Sequence, residues 1–190
     1  MSEPDSLYLR VRLSKGAFER YLASKAADAT DFDDWMPWLG RARMHGLVFT
    51  REKIAEIARG VRKCSVAEEI AGWTKNPWAF ARSHYDELTE TWRFGIANFS
   101  ENYQEFLAFL PPFRAVDRFK DLAGTDFMLV YDHFWNANRY TVLFDFADGA
   151  SRIAGSPGQG GPFPERLANE ARGFVGSFAA DVDAELVSRS

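Results

Sequence analysis

Thr91 to Ala147 constrains the fold of this 190-residue chain more than any other stretch, because a strand, a helix and a strand pair follow one another there with clear patterning. In TWRFGIANF, Trp92, Phe94 and Ile96 fall on one side and Thr91, Arg93 and Gly95 on the other, the two-residue period of a half-buried strand. Ser100 offers a hydroxyl to cap a helix, with Glu101 in its first turn. Tyr103, Phe106, Leu107 and Leu110 then recur at helical spacing until Pro111-Pro112, which is expected to end it. DFMLVYDHFW, the loop NANR and YTVLFDF read as a hairpin whose first strand, almost continuously apolar, belongs in the middle of a sheet.

The rest of the chain supplies more of the same parts. Leu7, Leu9, Val11 and Leu13 alternate with Tyr8, Arg10 and Arg12, a strand with one wet face, and Ser14 then caps a helix carrying Phe18, Tyr21 and Leu22. DATDFDDWMPWLG is expected to be a loop, since Pro37 disfavours a long regular element. RARMHGLVF leads to Thr50, which caps a basic helix with Ile54, Ile57, Ala58 and Val61 inward, and Ser65 with Glu68 has the spacing of a capping box for a further helix ended by Asn76-Pro77. WAFARSHYDELTE fits either a helix or a strand, with a strand favoured near Tyr85. A turn at Asp148-Gly149 precedes a short edge strand, GSPGQGGPFP is expected to be a loop, and Leu167, Ala171, Phe174, Val175, Phe178, Val182 and Leu186 trace a long closing helix across the sheet. The expectation is an α+β protein: one domain over 1–190, a mostly antiparallel sheet of four to six strands packed by helices, the C-terminal one long.

Apolar packing supplies the stability, with hydrophobic residues at 46% and 17 Phe and 6 Trp among them. A single cysteine, Cys64, excludes an internal disulfide and a cysteine-based zinc site, and fits a cytoplasmic setting. The start MSEPDSLYLR has no basic segment followed by an apolar core, and no run approaches a membrane span, so neither secretion nor membrane insertion is expected. A net charge of −4 argues against nucleic acid as a partner.

No catalytic constellation, metal-ligand set or cofactor motif stands out. His45, His84 and His133 occur in no spacing that places two ligands on one face. Asp132 or His133 meeting Asp145, or His84 meeting Asp86, would make an acid–base pair, and the same residues equally suit an exposed sheet face. That leaves one reading in which Tyr131, His133 and Asp145 line the site of a small enzyme or ligand-binding protein. The serines sit in no nucleophile elbow. Cys64, between Lys63 and Ser65 at a helix start, has either a depressed pKa or the ordinary role of a half-buried thiol. The glycines of GSPGQGG lack the order of a phosphate cradle, and the basic helix is diluted by Glu52 and Glu56.

The segment DFDDWMPW stands apart. Asp28, Asp31, Asp33 and Asp34 put four carboxylates within seven residues, beside Trp35 and Trp38, the residue type most frequent at binding hot spots. Acid beside aromatic suits a basic protein partner, because charge speeds encounter and an indole supplies buried area. On this reading Asp31, Asp33, Asp34, Trp35 and Trp38 form a partner-binding surface, and Asp33→Lys with Trp35→Ala weakens a complex while sparing stability. On the other, the tryptophans turn inward and the segment caps a core.

TWRFGIANFSENYQEFLAFL, DFMLVYDHFWNANRYTVLFDF and DFDDWMPW together resemble, at the level of class, the small cytoplasmic immunity proteins that bacteria encode beside polymorphic or contact-dependent toxins. The resemblance covers under half of the chain and implies a non-catalytic inhibitor that covers the active site of a cognate toxin. It carries over no catalytic residue.

Overall fold

The computed structural model describes residues 4–40, 49–133, 140–147, 149–155 and 165–188. Strand β1 (Asp5–Arg12) leads into α1 (Lys15–Ala23), a 3-10 turn (Ala29–Asp31), and three helices, α2 (Trp35–Leu39), α3 (Arg51–Gly60) and α4 (Val66–Lys75). There follow β2 (Ala81–Asp86), β3 (Thr91–Ser100), α5 (Tyr103–Arg114), a second 3-10 turn (Ala115–Phe119), β4 (Phe127–Tyr131), β5 (Tyr140–Ala147), β6 (Ala150–Gly155) and α6 (Glu165–Ser188). The strands form one six-stranded sheet in the order β2-β3-β1-β4-β5-β6, with every neighbouring pair antiparallel. The fold is α+β, with the expected sheet and closing helix.

The helix starts follow the local chemistry. Ser14, Thr50 and Ser65 accept the N–H groups of Ala17, Lys53 and Glu68, and Ser65 and Glu68 complete a reciprocal box. Ser100 is a correction. It ends β3, and the cap of α5 is Asn102, whose side chain accepts from Gln104 N–H; the Ser100 hydroxyl instead accepts from Asn102 N–H and donates to Glu105. Pro111 and Pro112 do not stop α5, which runs on to Arg114. Each proline forfeits one intrahelical bond, but burial of the last turn holds it helical: Phe113 stacks on Phe94 at 4.9 Å, and Tyr21 donates its hydroxyl to the Pro112 carbonyl.

Both faces of the sheet are covered. Leu7, Leu9, Val11, Trp92, Phe94, Ile96, Met128, Val130, Val142 and Phe144 face the large core under the first five helices. Tyr8, Ala97, Phe127, Leu129, Tyr131 and Tyr140 face a smaller core under α6, with Ala168, Ala171 and Val175. The second face of β1 is therefore not wet, as its alternation suggested. Tyr8 is fully buried and donates to Glu170 of α6, which also pairs with Arg10 at 2.7 Å. α6 lies so close that a Cβ on Gly95 would sit 3.1 Å from the Phe174 ring, so a larger residue there would have to push that ring aside. Gly149, at φ +73°, makes the β5–β6 turn in the left-handed region. The loops expected at NANR and GSPGQGGPFP (from 156 on), the approach RARMHGLV, and the side chains of Val182 and Leu186 lie outside the described residues.

Candidate functional site

The acidic, tryptophan-bearing segment is built inward. α2 is a five-residue helix with Pro37 in its first turn, where no intrahelical N–H bond is lost, and the two tryptophans on it are 1% and 2% exposed. Trp35 donates its indole N–H to the Ala29 carbonyl and packs on Trp38 and Phe144, while Trp38 packs on Tyr103 and Phe106. The assignment of Trp35 and Trp38 to a partner-binding surface is therefore corrected. An indole removed from water by its own core has no area left to offer a partner.

The carboxylates are similarly engaged. Asp28 pairs with Lys63 at 2.9 Å and exchanges capping hydrogen bonds with Asp31, which also lies 3.6 Å from Arg118. Asp34 meets Arg114 at 2.8 Å and accepts the N–H of Ile153. Asp33 alone of the four is exposed with no ion pair among the described residues. The steering charge read from four aspartates is thus largely neutralised within the chain.

Arg114 is the centre of this construction. Its side chain is 0% exposed and lies over the rings of Phe32, Trp35 and Phe144 at 4.1, 4.4 and 4.8 Å. Nε donates to the Ser151 hydroxyl and Nη2 to the Ser151 carbonyl and Asp34. Burial lowers its pKa to about 10, against the pull of Asp34, so the guanidinium stays charged at neutral pH. The Ile153 N–H and Ser151 carbonyl belong to β6, an outer strand of the sheet. Asp34 and Arg114 therefore occupy that edge and close it to further pairing.

The sheet-face alternative is also corrected. Asp145 is opposite Phe127, whereas Tyr131 is opposite Tyr140 at the other end of β4. Four residues of strand, about 14 Å, separate that carboxylate from Tyr131 and His133. His133 instead has its Nδ1 3.3 Å from the Tyr131 hydroxyl. Burial pushes the Tyr131 hydroxyl up, far from any role as a base at neutral pH. His84 is opposite Arg93, and Asp86 accepts the N–H groups of Leu88 and Thr89 in the β2–β3 turn. Burial, then Glu69, raise the Cys64 pKa, the opposite of the activated thiol.

Burial, and next the Arg172 guanidinium, hold the His133 pKa below the ordinary histidine value, against the pull of Asp132. The neutral ring is favoured in the fold, so its contribution is complete above the unfolded pKa of about 6.5 and is lost as pH falls through the folded one. The thermal midpoint is expected to drop as pH falls from about 6.5 downward, and to drop less in His133→Gln. Parallel slopes for the two proteins would contradict the assignment.

What the surface offers lies elsewhere. Trp78 is 70% exposed and Leu88 97% exposed. Trp78 stands on a turn after α4 that is fixed at both backbone groups: its N–H donates to the Asn76 side chain and its carbonyl accepts from Asn98. The sequence reading placed Trp78 on a strand or helix and passed over it; the signal was Asn76-Pro77, a turn that lifts the next side chain outward. No group of three or more potential metal ligands occurs among the described residues, and no described helix is long and apolar enough to cross a membrane. No family model, curated protein or solved structure matches the chain.

Proposed function

We propose that the chain acts by binding a protein, as the resemblance to bacterial immunity proteins implies: a non-catalytic, cytoplasmic inhibitor that covers a toxin's active site. The observation that carries this reading is Trp78. The turn that presents this mostly exposed indole has its backbone fixed by Asn76 and Asn98, so binding need not order it, and tryptophan is prominent among residues that dominate protein interfaces. The contact surface in this reading is the turn after α4 rather than Trp35 and Trp38, with Asp33 as a separate exposed carboxylate.

The test is growth of a host cell expressing the toxin domain encoded beside the gene, with and without this chain. Protection is expected. Trp78→Ala should weaken the complex about 30-fold while moving stability by no more than about 0.5 kcal/mol. A neighbourhood of metabolic enzymes, or protection that Trp78→Ala leaves untouched, would overturn the reading.

A further inference from the structure

The two edges of the sheet are treated differently. At β6 the outward N–H of Ile153 and carbonyl of Ser151 are taken by Asp34 and Arg114. At β2 the phase of the ladder can be worked out from two bonds. Leu13 N–H donates to Glu90 O on the β1 side of β3, and Ala97 N–H donates to Phe80 O on the β2 side. Antiparallel bonding alternates, so Thr91, Arg93 and Gly95 turn their backbone groups toward β2, where they meet Asp86, His84 and Arg82. The backbone groups of Ala81, Ser83 and Tyr85 consequently point away from the sheet. Neither proline nor lysine, the usual guards of an edge, occurs in this strand.

We propose that this edge pairs with β2 of a second copy of the chain, antiparallel, joining two sheets into one. Self-pairing about a twofold axis must set outward-bonding residues opposite outward-bonding residues, which leaves two registers that overlap most of the strand. One places Arg82 opposite His84 of the second copy and gains nothing from charge. The other places Arg82 opposite Asp86 of the second copy, twice by symmetry, with His84 against its own equivalent at the axis. Opposite charges directly across a strand pair are favourable and like charges are not, so the second register is selected. Arg82 and His84 are exposed, and the Arg82 guanidinium rests over the Phe178 ring at 5.1 Å, on the side of the sheet where Asp86 of the second copy would arrive. This inference is independent of Trp78 and of the toxin reading.

The test uses the full chain. Sedimentation equilibrium over a concentration series should show a mass rising from 21.6 kDa toward twice that value. Arg82→Asp, which sets two carboxylates opposite one another, should weaken the dimer about tenfold or more. Arg82→Asp with Asp86→Arg should restore it. Because Asp86 also holds the β2–β3 turn, a second measurement is independent of that swap. In a Cys64→Ser background, His84→Cys should form an intermolecular disulfide on mild oxidation, since non-hydrogen-bonded partners lie at bridging distance. A chain that stays monomeric throughout overturns the proposal, whether or not the edge accepts a strand from another protein. Cross-linking through Ser83→Cys in preference to His84→Cys overturns the register.

Discussion

Trp35→Ala is expected to lower the free energy of unfolding by about 3–5 kcal/mol, the usual cost of emptying a site that held a large buried aromatic. At this chain length that corresponds to a drop in thermal midpoint of about 6–20 °C. The indole is 1% exposed, donates to Ala29, and touches Phe32, Trp38, Phe144 and the Arg114 guanidinium. Removing it opens a cavity and strips one ring face from a buried cation in the same step. The sequence-level expectation that Asp33→Lys with Trp35→Ala spares stability is thereby reversed for its tryptophan half. Asp33→Lys alone falls on an exposed side chain and should cost little, so the double substitution should melt close to Trp35→Ala alone. A Trp35→Ala midpoint within a degree or two of the parent would put the indole back on the surface.

Asp34→Ala should be nearly as damaging, and the reason is asymmetric. The Arg114 side chain is fully buried while that of Asp34 is 32% exposed. Truncating the aspartate leaves a charge with no solvent to relax into, for which about 3–5 kcal/mol is the expected loss. Arg114→Met should cost less: the thioether fills the space between Phe32, Trp35 and Phe144, and Asp34 regains water. The pair is not fully satisfied even in the parent, since Arg114 Nη1 and Asp34 Oδ1 have no hydrogen bond among the described residues. Asp34→Ala combined with Arg114→Met should therefore recover most of what Asp34→Ala loses, because apolar replacement of a buried ion pair is often neutral or better. Urea unfolding of the four proteins measures the cycle. Equal losses for the two single substitutions, with no recovery in the double, would show that the ion pair is not the quantity at stake.

The parts of the fold that depend on near neighbours were legible in the residues themselves. Ser14, Thr50 and the Ser65–Glu68 box cap the helices their spacing announces, and the β4–β5 pairing joins strands adjacent in sequence. What was not legible depends on distance along the chain. β1 inserts between β3 and β4, and nothing in DSLYLRVR names those partners. Pro111 and Pro112 read as a stop because propensity is local, whereas the burial that carries α5 past them is not. Asp34 finds its cation 80 positions later, so a carboxylate bound into the core looked, in sequence, like one aimed at a partner. The tryptophans of DFDDWMPW misled for the same reason: composition marked them as hot-spot residues, but only the docking of α2 on Phe106 and Phe144 decides which way they point.

Oxidative footprinting of the native protein, read tryptophan by tryptophan by mass spectrometry, addresses most directly which indoles are available to another molecule. Trp78, 70% exposed, should be modified well before Trp35 and Trp38, which at 1% and 2% stay unmodified until the protein is unfolded. Modification of Trp35 or Trp38 under native conditions at a rate matching Trp78 would contradict the inward construction of the acidic segment and return the binding surface to it.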